Sequence, residues 1–311
     1  MTRRVRNTAP RRTHSNLGLV LLFGAPAIAG FPPSLAAQTE DGDGAQRPTQ
    51  EAAQVNFLEQ IDFSEPASRH RLAPSLREIS GLTTVDGRLF AHDDEQGVVV
   101  EIDPKEGDVL KWIYLGPDRV RGDFEGIAWI EGSHFLITSG GTLASFVEGE
   151  DGERVPFEAT TTALADVCEV EGLTETRSGQ LLAVCKTNRE KALKDGLQVF
   201  ALNPSQPGNP PMTFVSYDKA ALRSIGLKSG IRPSGIVEVS SGHLLVLDAR
   251  NRLILELDTA HRPVGWTRLD KDLHRQPEGI AISSEGDLLI ADEGGNGRGR
   301  LTRYNNRQTN H

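Results

Sequence analysis

The sequence predicts an all-β protein, a β-propeller of five four-stranded blades with six as the alternative. Three observations carry this: a phrase repeated five times, its spacing, and the hairpin grammar inside each copy. The copies are EISGLTTVDGRLFAHDD (78–94), DFEGIAWIEGSHFLITS (123–139), EVEGLTETRSGQLLAVC (169–185), RPSGIVEVSSGHLLVLD (232–248) and QPEGIAISSEGDLLIAD (276–292). Their key glycines, Gly81, Gly126, Gly172, Gly235 and Gly279, lie 45, 46, 63 and 44 residues apart. Self-similarity at a period of roughly 40–50 residues marks a repeat fold.

Each copy is an alternating apolar run, a Gly-bearing turn and a second apolar run, which together spell a β-hairpin. The turns are Asp86-Gly87, Glu131-Gly132, Ser178-Gly179, Ser241-Gly242 and Glu285-Gly286. In the first copy VVVEID (98–103) and VLKWIYL (109–115) supply two more strands, giving the four of a propeller blade. The 63-residue step reads as an insertion, because FVSYDKAAL, where an extra blade would start, has no Gly-apolar hairpin. Within that stretch NREKALKD is a loop or short helix before LQVFALN resumes as a third strand. The last copy ends at RLTRY (300–304), one strand short, while VNFLEQIDF (55–63) is an apolar run with no blade of its own. A ring that must leave no open edge predicts that this N-terminal run closes the last blade.

Outside the repeats, residues 1–37 read as a secretory signal: five arginines without an acid, the short apolar run LGLVLLFGAPAIAG, and small residues at Ser34-Leu35-Ala36-Ala37. Residues 38–54 are a polar linker, 55–305 the propeller and 306–311 a C-terminal tail. The expected location is the periplasm or cell envelope, with membrane association only through an uncleaved signal, and a monomer is expected. Removing the signal's five arginines from 34 basic residues leaves 29 against 43 acids, a formal charge of −14. That balance speaks against nucleic acid as a partner and for cations or basic surfaces; the expected partners are a cation, an envelope protein or a small anionic ligand.

Counting from each key glycine exposes the candidate site. The residue before it is Ser80, Glu125, Glu171, Ser234 or Glu278; three before it stand Glu78, Asp123, Glu169, Arg232 and Gln276. Strand residues two apart share a face, so each blade projects a polar pair at the start of its first strand, which lines the channel. Thirteen residues after the glycine come Asp94, Ser139, Cys185, Asp248 and Asp292. A hairpin's second strand ends beside the start of its first, placing both sets at one rim. The predicted mouth is ringed by Glu125, Glu171 and Glu278, with Asp94, Asp248 and Asp292 nearby and Arg232 breaking the acidity.

Clustered carboxylates repel unless a cation, protons or basic groups intervene. Six candidate metal ligands, all carboxylates, suit Ca²⁺, whereas zinc would want the His and Cys ligands that are missing. The other reading is architectural: the same acids bond backbone donors and tile neighbouring blades. His70, His92 and His243 are single, no G-x-S-x-G elbow occurs, and Gly294-Gly295-Asn296-Gly297 is a turn without the helix and lysine of a phosphate cradle. Cys168 and Cys185, an even pair in an exported chain, fall near cross-strand opposition on the third hairpin; the alternatives are a disulfide or two buried thiols.

The repeated Ser-Gly-Leu, Glu-Gly-Ile and Pro-Glu-Gly-Ile steps, with QPEGIAISSEGDLLIADE near the end, resemble the YjiK/CarP family, also called SdiA-regulated proteins. The resemblance spans roughly residues 55–305. It implies an extracytoplasmic propeller of the phytase-like kind, linked to calcium in some members. The expected function is therefore a non-catalytic propeller that binds Ca²⁺ or an envelope partner through its acidic channel face, in calcium-linked homeostasis or signalling. The alternative is a metal-dependent hydrolase, phosphoesterase-, phytase- or lactonase-like, using the same acids, with Lys186, Arg232, Arg250 and Arg275 holding an anionic substrate.

Overall fold

Each repeat folds into one antiparallel sheet in the computed structural model, which describes residues 56–308. The predicted signal (1–37) and linker (38–54) lie outside the described residues. Blade one comprises Ile79–Val85, Arg88–Asp93, Val98–Ile102 and Val109–Leu115; blade two, Phe124–Ile130, Ser133–Thr138, Thr142–Val147 and Glu158–Thr161. Blade three comprises Cys168–Glu175, Leu181–Asn188, Leu197–Leu202 and Met212–Tyr217; blade four, Gly235–Glu238, Leu244–Asp248, Leu253–Leu257 and Pro263–Arg268. Blade five joins Pro277–Ile282, Leu288–Asp292 and Arg300–Tyr304 to the N-terminal strand Ser68–Arg71. The architecture is thus a five-bladed propeller whose ring is closed by an N-terminal strand.

The closing strand is not the one expected. Ser68–Arg71 pairs antiparallel with Arg300–Tyr304, His70 opposite Leu301. Phe57–Gln60 within VNFLEQIDF is instead one helical turn, with Ile61 bridging Asn306. Glu256, fully buried in blade four, dictates this. Its carboxylate accepts the Phe57 N–H (2.6 Å) and the Leu58 N–H (2.9 Å) together with a 2.6 Å contact from His243 Nδ1. Those first amides of a helical turn have no partner within the helix, so an outside carboxylate satisfies them and fixes the turn.

Five hydrophobic clusters fill the seams, one between each pair of neighbouring blades. Phe57, Leu58 and Ile61 join the cluster between blades four and five. The two-residue turns at Asp86-Gly87 and Glu131-Gly132 have both residues at positive φ, the twist that matches a tight hairpin. The long third step holds a 3-10 turn at Lys191–Leu193 and a helix at Lys219–Ser224, as an insertion rather than a blade. An unpredicted strand, Glu153–Val155, crosses from blade two and pairs in parallel with Val109–Leu115, giving blade one a fifth strand. No helix among the described residues is long and apolar enough to cross a membrane.

Candidate functional site

The repeated glycine brings the innermost strands together around the axis. A Cβ on Gly126 would lie 2.4 Å from the Leu173 nitrogen, and one on Gly279 would lie 2.4 Å from the Ser80 carbonyl oxygen. A Cβ on Gly172 would lie 3.0 Å from Gly235 Cα, one on Gly235 2.8 Å from the Glu278 carbonyl oxygen, and one on Gly81 3.2 Å from the Ile127 nitrogen. Each key glycine therefore touches the next blade, and the five contacts close a circle. Any side chain there would push two backbones apart.

The residue before the glycine sits in a β-bulge. Cross-strand register slips between Ile79 and Leu82, Phe124 and Gly126, Val170 and Leu173, and Pro277 and Gly279. In each case the inner strand carries one extra residue, a device that re-aims a side chain. The bulges hold Ser80, Glu125, Glu171 and Glu278. Blade four has no slip within its Gly235–Glu238 pairing. Glu125 and Glu278 line the narrow axial cavity with Ser234 and the glycines, and Glu171 and Glu278 border the cleft beside it.

Burial and mutual repulsion set the charge of these groups. Burial pushes the Glu125 carboxyl up from 4.5 to about 9, reinforced by Glu171 and Asp123. Glu278 rises to about 7 through burial and then Glu171. Glu171, also raised to about 7 by burial, is held back by the Lys186 ammonium 2.6 Å away. Asp94 rises to about 6 through burial and the charges of Asp93 and Glu78. A carboxylate that the sequence reading did not single out, Glu293, is raised to about 8 by burial and by a hydrogen bond with Glu78. Its signal was available, since it directly follows Asp292 in the strand-ending ADE.

The outer candidates meet across the hairpins. The Glu78 carbonyl accepts the Asp94 N–H at 3.0 Å, while the Glu78 carboxylate pairs with Arg77. Ser139 Oγ donates to Asp123, and Thr187 Oγ1 donates to Glu169 at 2.9 Å. Asp248 is fully buried; Oδ2 accepts the Arg232 N–H (2.8 Å) and Asn251 Nδ2, and Oδ1 accepts the Asn251 N–H. Asp292 faces His274 Nδ1 at 2.7 Å and accepts the Gln276 N–H at 3.3 Å; Gln276 Nε2 donates to Glu293. Asp248 and Asp292 thus brace loops; Glu278 has a side-chain hydrogen bond with Gln276, and Asp94 one with the Glu95 backbone, while its Oδ1 is buried without a partner.

Two further candidates are interior. His92 is fully buried and accepts the Gly81 N–H on Nε2 at 2.9 Å, and burial lowers its pKa to about 4, so it is a neutral support for the inner strand. Cys168 and Cys185 are joined as a disulfide, Cα atoms 5.9 Å apart.

The donor set at the mouth is oxygen-only and carboxylate-rich, which in kind fits a hard cation. As arranged, no three Asp, Glu, His or Cys side chains among the described residues are drawn together closely enough to hold one. The Ser234 hydroxyl donates to the Pro277 carbonyl and accepts the Ala249 N–H, so it is not poised as a nucleophile.

Fold and mouth together define a five-bladed propeller with a polar axial opening. The SdiA-regulated family matches residues 65–296, and the chain belongs to that family. Comparison with curated proteins finds no match. Among solved structures, a glutaminyl cyclase from Myxococcus xanthus is similar at 15% identity and TM-score 0.51, covering 78% of this chain and 95% of that one. A luciferin-regenerating enzyme is similar at 10% identity and TM-score 0.49, covering 77% and 95%. A streptogramin B lyase is similar at 11% and 0.42, covering 76% and 98%. At these identities the likeness concerns the fold alone.

Proposed function

We propose that this chain is a non-catalytic binding propeller of the cell envelope that takes up Ca²⁺ at its axial carboxylates. One observation carries the reading. Glu125 and Glu278 line the axial cavity, Glu171 and Glu278 line the cleft beside it, and the charge of Glu171 pushes the Glu125 and Glu278 carboxyls up, three acids from three different blades at one mouth. Such a group is stabilised by a cation, which replaces protons as the compensating charge. Binding requires the ion to draw the three carboxylates inward and to displace Lys186 from Glu171. Calcium's loose geometry and preference for oxygen favour it over zinc for this role. The non-catalytic reading is supported by Ser234 and His92, both engaged by the backbone. Export is supported by the N-terminal sequence pattern and by the disulfide.

Thermal unfolding of the full chain, titrated with Ca²⁺ against EDTA, tests the reading. A ligand that binds only the folded ring stabilises it by about 2.7 kcal/mol at 100 times its Kd, a rise of roughly 5–10 °C for a domain of this size. Glu125→Gln with Glu278→Gln should abolish the rise; neither group makes an ion pair whose loss would confuse the result. Glu65→Gln with Glu106→Gln, both on the surface, should keep it. No rise in the wild type, or equal loss in both doubles, refutes the assignment.

A further inference from the structure

The mouth is acidic on one side and basic on the other. Where blades three, four and five meet, a cleft of about 310 Å³ is walled by Lys186, Arg232, Arg250, Arg252 and Arg275. Five basic groups in one recess stand out in a chain whose formal charge is −9 overall. Their placement is built rather than incidental. Arg232 precedes the inner strand of blade four, Arg275 precedes that of blade five, and Arg250 and Arg252 lie in the loop after Leu244–Asp248. Buried Asp248 ties the first and last of these segments together by accepting the N–H groups of both Arg232 and Asn251.

The positive charge is incompletely answered by the protein itself. Lys186 has Glu171, and Arg232 has only Asp195 at 3.8 Å, a carboxylate already bonded to Lys219 at 2.8 Å. Arg250 and Arg275 have no acid within ion-pair distance among the described residues, and the Nε groups of Arg232 and Arg252 are buried without an acceptor. A buried donor normally has a partner. Guanidinium groups facing a recess of small-molecule size offer paired, forked donors that match the oxygens of a carboxylate or phosphate. Arg275 and Gln276 also line a neighbouring recess, which adds Arg69, Arg298 and Arg300 together with Asp292 and Glu293.

We propose that this cleft is a binding site for a small oxyanion ligand bearing at least two negative charges. The site adjoins the axial carboxylates, but its donors are the arginines, and the ligand needs no metal. Glu171 and Glu278 form its inner edge, so they bias it against ligands that would crowd the axis and favour those that lie outward over Arg250 and Arg275.

Isothermal titration of the full chain at low ionic strength, in EDTA, tests the proposal with inorganic pyrophosphate in one arm and citrate in the other. Binding of either at one site per chain supports it, and the tighter arm tells phosphate from carboxylate chemistry. Arg250→Gln with Arg275→Gln should weaken binding by about tenfold or more, since charge-assisted hydrogen bonds are lost. Unchanged far-UV circular dichroism and melting would show that the double variant still folds. Arg119→Gln with Lys191→Gln, which removes two exposed charges elsewhere, should change affinity less than about threefold at matched salt. Glu125→Gln, at the axis and outside the cleft, should retain anion binding even where it weakens the Ca²⁺ response, so the two sites fail separately. The proposal is overturned if neither anion binds, if both basic doubles weaken binding alike, or if binding appears only when Ca²⁺ is added.

Discussion

Replacing Glu125 by Gln should stabilise the metal-free protein, and by an amount that depends on pH in a defined direction. In the folded chain this carboxyl titrates at about 9, against 4.5 for the ordinary group. The folded state therefore holds a proton that the unfolded chain releases above pH 4.5. Stability is full below that pH and declines as pH rises towards 9, by about 1.4 kcal/mol per unit for a single site. At pH 7, about 2.5 units above the unfolded value, the upper limit of the loss is about 3 kcal/mol; partial exposure of the side chain reduces it to about 2. Gln keeps the shape of the protonated acid and cannot ionise. Urea unfolding in EDTA should show wild type and variant nearly equal at pH 5, with the variant about 2 kcal/mol more stable at pH 7 and an unchanged denaturant slope. With saturating Ca²⁺ the order should reverse, because the wild type alone gains the ion's stabilisation. A difference that does not vary with pH, or a variant less stable at pH 7 without metal, would refute the claim that Glu125 is buried as a repelled acid.

Gly126→Ala should destabilise the ring by about 1–3 kcal/mol, since its methyl would strike the Leu173 backbone, whereas Gly140→Ala, with nothing nearer than 3.9 Å, should lose less than about 1 kcal/mol. Equal effects in chemical denaturation would remove the close-approach argument. Thiol titration of the unfolded, unreduced chain should find no free cysteine, and reduction of the Cys168–Cys185 bond, which spans 17 residues, should cost about 3 kcal/mol. Two titratable thiols before reduction would contradict that bond.

The blades were legible because their signals are local: a tight turn needs glycine, a half-buried strand alternates, and both recur with the repeat. The closing strand was not, for a physical reason. Ser-Arg-His-Arg at 68–71 has no apolar residue, since an outermost strand is held by backbone hydrogen bonds and needs no buried side chain. The apolar run upstream looked more strand-like, yet its Phe57 and Leu58 are buried in helical form because a carboxylate some 200 positions away in sequence accepts their amides. Nothing in a local window reports Glu256. Strand Glu153–Val155 escaped notice similarly, being defined by the edge of another blade.

At the mouth, counting positions named a set of polar residues but could not assign their work. Equal offsets from the glycine do not keep one backbone setting: Asp93, not Asp94, stands opposite Ile79 as Asp292 stands opposite Pro277, because blade one's hairpin turn is shorter, and Asp94 keeps a buried oxygen without a partner while Asn251 and His274 stand beside Asp248 and Asp292. The bulge adds a second layer: it turns Glu125, Glu171 and Glu278 inward, and it is invisible to a two-residue period, which assumes an unbroken ladder. A near-fivefold backbone thus carries a side-chain pattern with no fivefold symmetry. Blade four supplies Ser234 where three other blades supply glutamate, and Arg232 where three supply an acid. Blade one departs at the first position with Ser80 and blade five at the second with Gln276; blade four alone departs at both, and its Arg232 gives the ring of acids a basic side. In the proposed function the cation belongs to one side and the anion to the other, so the asymmetry, more than the acidity itself, gives the mouth a direction.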